Sequence, residues 1–276
     1  MRRIAFVCIL LPGLVAVADD NTKLRDQVAA AMKENDVAKA LKLTDDAIQA
    51  NPKKAEPYLI RASIYMADKK FDKAIADFTK TLELEPSVHA ARNQRGIANF
   101  KAAKIAESLA DFDAYIEKVP QAAAAHWQRG LTLYYADKFA DGVKQFTTSD
   151  KAEPEDVENA IWHFLCNARV QGIDKARGEF FKVKADPRGA YMMTIYKMFK
   201  GEAKPDEVFK VAESGEGSKD PEQIRRFYAH YYVGMFYEAT GEAKKSYDEL
   251  KTAHDKYPIS HYMMDVAAVH LKLRKK

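Results

Sequence analysis

The chain has 276 residues, of which 47% are hydrophobic and 30% are charged, and its formal net charge is +4. This composition can build a sizeable core and excludes a disordered tail protein. Basic and acidic residues are interleaved along the chain, as on solvated helix faces, so the charge pattern does not indicate a basic surface for nucleic-acid binding.

The N-terminal segment has the pattern of a secretory signal peptide. A basic start, Met1-Arg2-Arg3, precedes an apolar stretch over 4–17 that is too short for a stable membrane span. The stretch ends in Ala16-Val17-Ala18, which predicts cleavage after Ala18 and export of 19–276 to the periplasm or out of the cell. Cys8 lies in the middle of the apolar stretch, so lipidation is not expected.

Four prolines set a period of 34 residues along the first half of the chain: Pro52, Pro86, Pro120 and Pro154. The period predicts repeats over 21–54, 55–88, 89–122 and 123–156. At the eighth place of these repeats the residues are small or slender (Val28, Ala62, Gly96 and Gly130), whereas the twenty-fourth place holds Thr44, Phe78, Phe112 and Phe146. Small residues facing large ones allow two antiparallel helices to interlock.

This pattern resembles the tetratricopeptide consensus in its period and in its small and aromatic places. The resemblance implies an all-α superhelical solenoid of antiparallel helix pairs. Pro258 marks a fifth repeat over 227–260. Between the fourth and fifth repeats, the helical spacing of apolar residues predicts degenerate helical pairs over 157–213, with helices at 160–170, 176–183, 190–199 and 205–212. Residues 214–221 form a predicted loop, and 259–273 a capping helix.

No catalytic apparatus is evident in the sequence. Its seven histidines are scattered over the repeats, and metal, phosphate-loop and nucleophile-elbow motifs are missing. After cleavage Cys166 is the only thiol, and on an apolar helix a lone cysteine is expected to be a packing residue. We therefore predict a protein that is not an enzyme and holds no metal or cofactor.

Three arginines share the seventh place of successive repeats: Arg61, Arg95 and Arg129. Asp77 and Asp111 occupy the twenty-third place in the first two of these repeats, so Arg61 and Arg95 are expected to pair with them. The alternative is an arginine ladder that grips partner carboxylates. Arg129 has no such aspartate and is predicted to be free for a ligand.

The first helix of each tetratricopeptide repeat lines the concave surface that usually binds partners. The corresponding places here are aromatic and amide-rich, as suits protein or peptide binding. The predicted partner-binding residues are Asn93, Gln94, Trp127, Gln128, Arg129, Leu131, Tyr134, Tyr228, Tyr231, Tyr232 and Met235. The alternative is that the aromatic side chains merely pack neighbouring helices.

The run 126–135, the helix around 161–165 and the final repeat over 227–241 resemble the NlpI-like family of exported bacterial tetratricopeptide lipoproteins. The resemblance implies a homodimeric adaptor of the cell envelope that binds peptidoglycan-cleaving enzymes and a protease. The leading hypothesis is thus a protein-interaction scaffold. A glycan or cell-wall fragment binding protein is the second hypothesis, and a hydrolase with an unrecognised site is the third.

Overall fold

The computed structural model describes residues 18–152 and 155–274. Within these ranges the chain forms fifteen α-helices, a short 3-10 turn at Pro120–Ala122 and no strand, so the predicted all-α fold is confirmed. The helices are α1 (Ala18–Lys33), α2 (Val37–Ala50), α3 (Ala55–Ala67), α4 (Phe71–Leu84), α5 (His89–Lys101), α6 (Ile105–Lys118), α7 (Trp127–Tyr135), α8 (Phe139–Ala152), α9 (Val157–Gln171), α10 (Ile173–Gly178), α11 (Ala190–Lys200), α12 (Pro205–Ser214), α13 (Glu222–Ala239), α14 (Ala243–Lys256) and α15 (Tyr262–Leu273). Residues 1–17 of the predicted signal peptide (1–18), and Pro154, which marks the end of the fourth predicted repeat, lie outside the described residues.

Consecutive helices pack against each other as pairs: α1 with α2, α3 with α4, α5 with α6, α7 with α8, and α13 with α14. The turn inside each pair contains one residue with a left-handed backbone. These residues are Asn35, Lys69, Ala103, Asp137 and Gly241. The first four are spaced by the 34-residue period, and Gly241 holds the same fifteenth place in the repeat that starts at Phe227. The period therefore sets the turn geometry as well as the packing places.

Small residues meet large ones where the helices of a pair approach. A Cβ atom added to Gly96 would lie 2.7 Å from Phe112, and one added to Gly130 would lie 2.5 Å from Phe146. Both phenylalanines are fully buried. At these two positions a side chain larger than hydrogen would press on the ring, so Gly96 and Gly130 allow the two helices of their pairs to pack closely.

The chain divides into two compact units, one up to Ser87 and one from Val88 onward. The first unit holds α1–α4 around a small core that includes Val28 and Ile64. The second unit holds α5–α15 around a much larger core that is rich in aromatic residues. In the part of the chain that the structure describes, no helix is long and apolar enough to cross a lipid bilayer.

The helix predicted over 176–183 is wrong in its extent, because α10 ends at Gly178 and 180–186 is irregular. Phe180 stacks on Tyr196 at 4.9 Å between ring centroids. The Tyr196 hydroxyl donates to the carbonyl of Phe181 and lies 3.3 Å from the Val183 amide nitrogen. The apolar residues that suggested a helix are thus held in an irregular segment by one tyrosine.

Candidate binding surface

The last helix of the second unit, α15, folds back onto α5 and α7. Its first residue, Tyr262, stacks on Phe100 at 5.9 Å between ring centroids and meets Trp127 edge-on at 4.9 Å. Asp265 pairs with Lys101 at 2.8 Å. Phe100 and Trp127 belong to α5 and α7, the first helices of their repeats, and first helices line the concave surface in tetratricopeptide repeats, so α15 covers part of that surface.

The other end of α15 is anchored across the same helices. His270 Nδ1 lies 3.2 Å from the Tyr135 hydroxyl, and Lys272 Nζ donates to the carbonyl of Ala102 at 3.0 Å. Arg274 donates to Asp137 at 2.9 Å. The helix is therefore held at both ends by apolar packing, ion pairs and further polar contacts.

This packing corrects part of the predicted binding surface. Six of the proposed residues are buried and do not form an accessible surface: Leu131, Tyr134, Tyr228, Tyr231, Tyr232 and Met235. The physical reason is that their apolar faces supply the core on which α9, α13 and α15 pack. Burial also raises the pKa of the Tyr231 and Tyr232 hydroxyls.

Two of the buried tyrosines serve as internal polar links. Tyr134 donates to Glu238 at 2.7 Å, and so joins α7 to the end of α13. Tyr232 donates to Glu158 at 2.5 Å, and so joins α13 to α9. The alternative interpretation, that these aromatic side chains pack neighbouring helices, is the one that the structure supports.

The arginines at the seventh place are all engaged. Arg61 makes two hydrogen bonds to Asp77, both at 2.7 Å, and Arg95 makes two to Asp111, at 2.9 and 2.7 Å, as expected. The prediction that Arg129 is free is wrong, since it donates to Asp113 at 2.7 Å.

The sequence contained the signal for that pair. Asp113 lies sixteen residues before Arg129, at the twenty-fifth place of the preceding repeat. Asp45 holds the same place one repeat before Arg61 and accepts from it at 2.6 Å. An arginine at the seventh place can therefore pair with an aspartate on either side, and the prediction considered only one.

The remaining predicted residues are at least partly accessible. Asn93, Gln94 and Gln128 are half-buried, and Asn93 Oδ1 lies 2.8 Å from His126 Nε2. His126 also caps α7 by accepting from the Arg129 amide, and burial lowers the pKa of His126 to about 4. Trp127 stands out, because 39% of its surface is exposed.

Trp127 borders a cavity of about 240 Å³. We call it the Trp127 pocket, and it is lined by Ala124, Ala125, Trp127, Leu131, Phe146, Ser149, Asp156, Glu158, Asn159, Trp162, His261 and Met263. Its floor is apolar, with Leu131, Phe146, Trp162 and Met263 all buried. Its polar side is supplied by the start of α9, where Asp156 accepts from the Asn159 amide as the N-cap.

The pocket was missed at the sequence level except for Trp127 and Leu131. Asp156 is the last residue of the fourth predicted repeat and Asn159 lies beyond it, where the period lapses, so no small or aromatic place marked them. The only available signal was the Asp-x-x-Asn spacing before an apolar helix, which indicates a helix start and not a pocket. His261 and Met263 reach the pocket only because α15 folds back.

A second cavity, of about 340 Å³, lies between α12, α13 and α14. Among its lining residues, Arg226 pairs with Glu213 and also with Glu222, and His230 lies 2.6 Å from Glu249. This second cavity therefore offers a ligand fewer unpaired polar groups than the Trp127 pocket does.

The residues considered for chemistry do not converge on a reacting atom. Cys166 is fully buried, and burial raises the pKa of its thiol, which disfavours the reactive thiolate. His163 is also buried and stacks on Phe181 at 4.0 Å, and desolvation lowers its pKa to about 4. Among the described residues, no three His, Cys, Asp or Glu side chains are grouped so as to hold a metal ion.

Comparison with known proteins agrees with this architecture. A family model described as tetratricopeptide repeat matches residues 25–89. The SGT1 homolog of rice, Oryza sativa subsp. japonica, is 36% identical over 75 residues, which are 27% of this chain and only 20% of the rice protein. The match therefore spans about a fifth of that relative's length.

Solved structures extend the likeness to most of the chain. The crystal structure of a tetratricopeptide repeat protein from Parabacteroides merdae is similar over 93% of this chain and 99% of its own, with a TM-score of 0.60 and 14% identity. A MamA crystal structure is similar over 73% of this chain and 98% of its own, with a TM-score of 0.55 and 16% identity. At these identities the likeness shows the fold, and it is the tetratricopeptide solenoid.

Proposed function

From a tetratricopeptide solenoid with one exposed tryptophan at the edge of a pocket, we propose a non-enzymatic scaffold that binds peptide segments of partner proteins. The observation that carries this proposal is Trp127, which is 39% exposed and borders a pocket with an apolar floor. Tryptophan is among the residues that most often dominate binding energy when a partner covers them. Its edge contact with Tyr262 holds the ring in place before any partner arrives.

The binding surface in this proposal differs from the one that the repeat pattern predicted. It consists of Trp127 and the start of α9, with Gln94 and Gln128 as half-buried neighbours on the first-helix faces. The buried tyrosines support this surface from below and do not contact the partner.

The cell compartment and the partners are further parts of the proposal. The signal-peptide pattern over 1–18 supports export to the periplasm or beyond. The resemblance to NlpI-like proteins supports a cell-envelope adaptor for peptidoglycan hydrolases or a protease, with a homodimer as its working form. Sequencing the N-terminus of protein recovered outside the cytoplasm tests export, and Asp19 as the first residue is the expected result.

Peptide binding is tested by selecting from a random-peptide phage library on immobilised 19–276. We expect Trp127→Ala to weaken the selected peptides by about thirtyfold, since a hot-spot side chain is worth about 2 kcal/mol or more. Val170→Ala is the matched control, because Val170 is 52% exposed but lies outside the pocket. A library with no enriched peptides, or equal binding by Trp127→Ala, would overturn the proposal.

A glycan is the second candidate ligand, and the pocket itself favours it. An exposed aromatic ring beside a carboxylate and an amide, here Trp127 with Asp156 and Asn159, suits the faces and hydroxyls of a sugar. Titration of tryptophan fluorescence with soluble cell-wall fragments tests it. A saturable change that is lost in Trp127→Ala would support glycan binding, and an unchanged signal would exclude it.

A further inference from the structure

The size of the Trp127 pocket restricts what can enter it. Its volume is about 240 Å³, whereas pockets for drug-sized ligands measure roughly 300–1,000 Å³. A single long side chain fits this space, and the apolar floor of Leu131, Phe146 and Met263 suits an aliphatic stem.

Asn159, in the lining of the pocket, carries a buried acceptor that is not used within the protein. Asn159 Nδ2 donates to the carbonyl of Phe146 at 3.1 Å, which fixes its amide so that Oδ1 is the free end. Asn159 Oδ1 is buried and has no hydrogen-bond partner. A buried acceptor without a partner costs about 1–3 kcal/mol, so a ligand that donates to it gains that energy.

The charge of the lining is negative. Lys and Arg do not occur among the lining residues, which include the carboxylates of Asp156 and Glu158. Glu158 is already compensated, since it accepts from Arg188 and from Tyr232, both at 2.5 Å. Asp156 is exposed, and among the described residues its carboxylate accepts only from the Asn159 amide and has no ion pair. An ionised carboxylate can accept further hydrogen bonds, so Asp156 remains available.

The aromatic rings complete the pattern. Trp127 at the mouth and Trp162 in the floor offer indole faces, which attract cations more strongly than other aromatic rings do. The chain uses the same chemistry internally at Arg188, whose guanidinium lies 5.6 Å from the Tyr228 ring centroid while pairing with Asp186 and Glu158.

We infer that the Trp127 pocket binds the arginine or lysine side chain of a peptide partner. The aliphatic stem packs on the apolar floor, the cation lies against Trp127, and the N–H groups donate to Asp156 and to Asn159 Oδ1. This inference rests on the proposed peptide-binding function and names the side chain that the peptide must present.

The test uses N-acetyl-arginine N-methylamide and its neutral isostere N-acetyl-citrulline N-methylamide as probes. The chain has two tryptophans, so two indole N–H resonances in NMR spectra report on the pocket from its mouth and its floor. We expect the arginine probe to shift both resonances saturably, and the citrulline probe to bind at least about tenfold more weakly because it lacks the charge.

Asp156→Asn removes the charge but keeps the helix cap, since asparagine is as good an N-cap as aspartate. It should weaken the arginine probe about threefold to fivefold and leave the citrulline probe unchanged. Asp141→Asn, a surface carboxylate 51% exposed on α8, is the matched control and should change neither. Trp127→Phe should bind the arginine probe with intermediate strength, and Trp127→Ala should bind it about tenfold more weakly.

Equal binding of the two probes, no shift with either, or an Asp156→Asn protein that binds arginine normally would each overturn the inference. Failure of the proposed function looks different. If phage selection yields no peptide while the arginine probe still binds, peptide binding fails and the cation site stands. If the selected peptides depend on Trp127 but carry no basic residue, the function stands and this inference fails.

Discussion

Replacing Gly96 by alanine measures how tightly the first helix of a repeat is packed against the second. The new Cβ would lie 2.7 Å from Phe112 Cε1, far inside the ~3.5–4.0 Å optimum for two carbon atoms. Overpacking of this kind costs about 1–3 kcal/mol, while the better helix propensity of alanine returns about 1 kcal/mol. We expect the free energy of unfolding to fall by about 1 kcal/mol.

Combining this change with Phe112→Ala isolates the steric term. Phe112 is fully buried, so its truncation alone should cost about 3–5 kcal/mol. In the double variant the methyl group of residue 96 occupies space that the ring has left, so only the propensity gain remains. The double variant should therefore be about 1 kcal/mol more stable than Phe112→Ala, which amounts to a coupling energy of about 2 kcal/mol.

Urea unfolding of 19–276, followed by circular dichroism, gives the four free energies. Gly178→Ala is the control, because a Cβ added there meets no atom within 4 Å and should leave the protein as stable or more stable. Additivity of Gly96→Ala and Phe112→Ala within about 0.5 kcal/mol would refute the interlocking of these two side chains.

Three further predictions concern other parts of the chain. Ala103 has a left-handed backbone with φ of +63°, so Ala103→Gly should raise the free energy of unfolding by about 0.5–1 kcal/mol. The neighbouring Ala102 has φ of −78°, so Ala102→Gly should lower the free energy of unfolding. Urea midpoints that shift in the same direction for both variants would contradict this. Burial lowers the pKa of His126 from 6.5 to about 4. Between these pH values His126 is protonated in the unfolded chain but not in the folded protein, so the free energy of unfolding falls as the pH drops from 6.5 to 4. His126→Asn keeps an N-cap residue and should reduce this pH-dependent loss of unfolding free energy by up to about 3 kcal/mol. An unchanged slope of unfolding free energy against pH would argue against a neutral buried His126. Cys166 is fully buried, and burial raises the pKa of its thiol. Iodoacetamide should therefore label Cys166 only in denaturant, as measured by intact mass. Rapid labelling of the native protein would show instead that the thiol is accessible.

Much of the fold could be predicted from the sequence because the residues that pack together within a repeat are close in the chain. The eighth and twenty-fourth places of one repeat are only sixteen residues apart, so Gly96 with Phe112 and Gly130 with Phe146 could be paired by spacing alone. The pairs of Arg61 with Asp77 and Arg95 with Asp111 followed from the same spacing. The left-handed turn residue recurs at the fifteenth place of the repeats, but its residue type does not recur, since only Gly241 is a glycine.

The candidate site was predicted only in part. Trp127 was identified from its place on the first helix of a repeat, and it is the exposed large hydrophobic residue of the pocket lining. Asp156 and Asn159 were missed, because they begin α9, where the period has lapsed. Arg129 was misassigned because its partner Asp113 belongs to the preceding repeat.

By itself, the sequence determined the helix pairs and the residues that interlock within a repeat, since these depend on contacts between neighbours in the chain. Only the tertiary structure decided which first-helix faces stay accessible. Residues of α15 meet Tyr135 and Ala102 across 135 and 170 positions of sequence, and no period encodes contacts that occur once. The large apolar area of Tyr231 and Tyr232 drives burial wherever a covering helix can reach it, and α15 reaches the concave side of α5 and α7. Trp127, at the edge of that helix, is left at the surface.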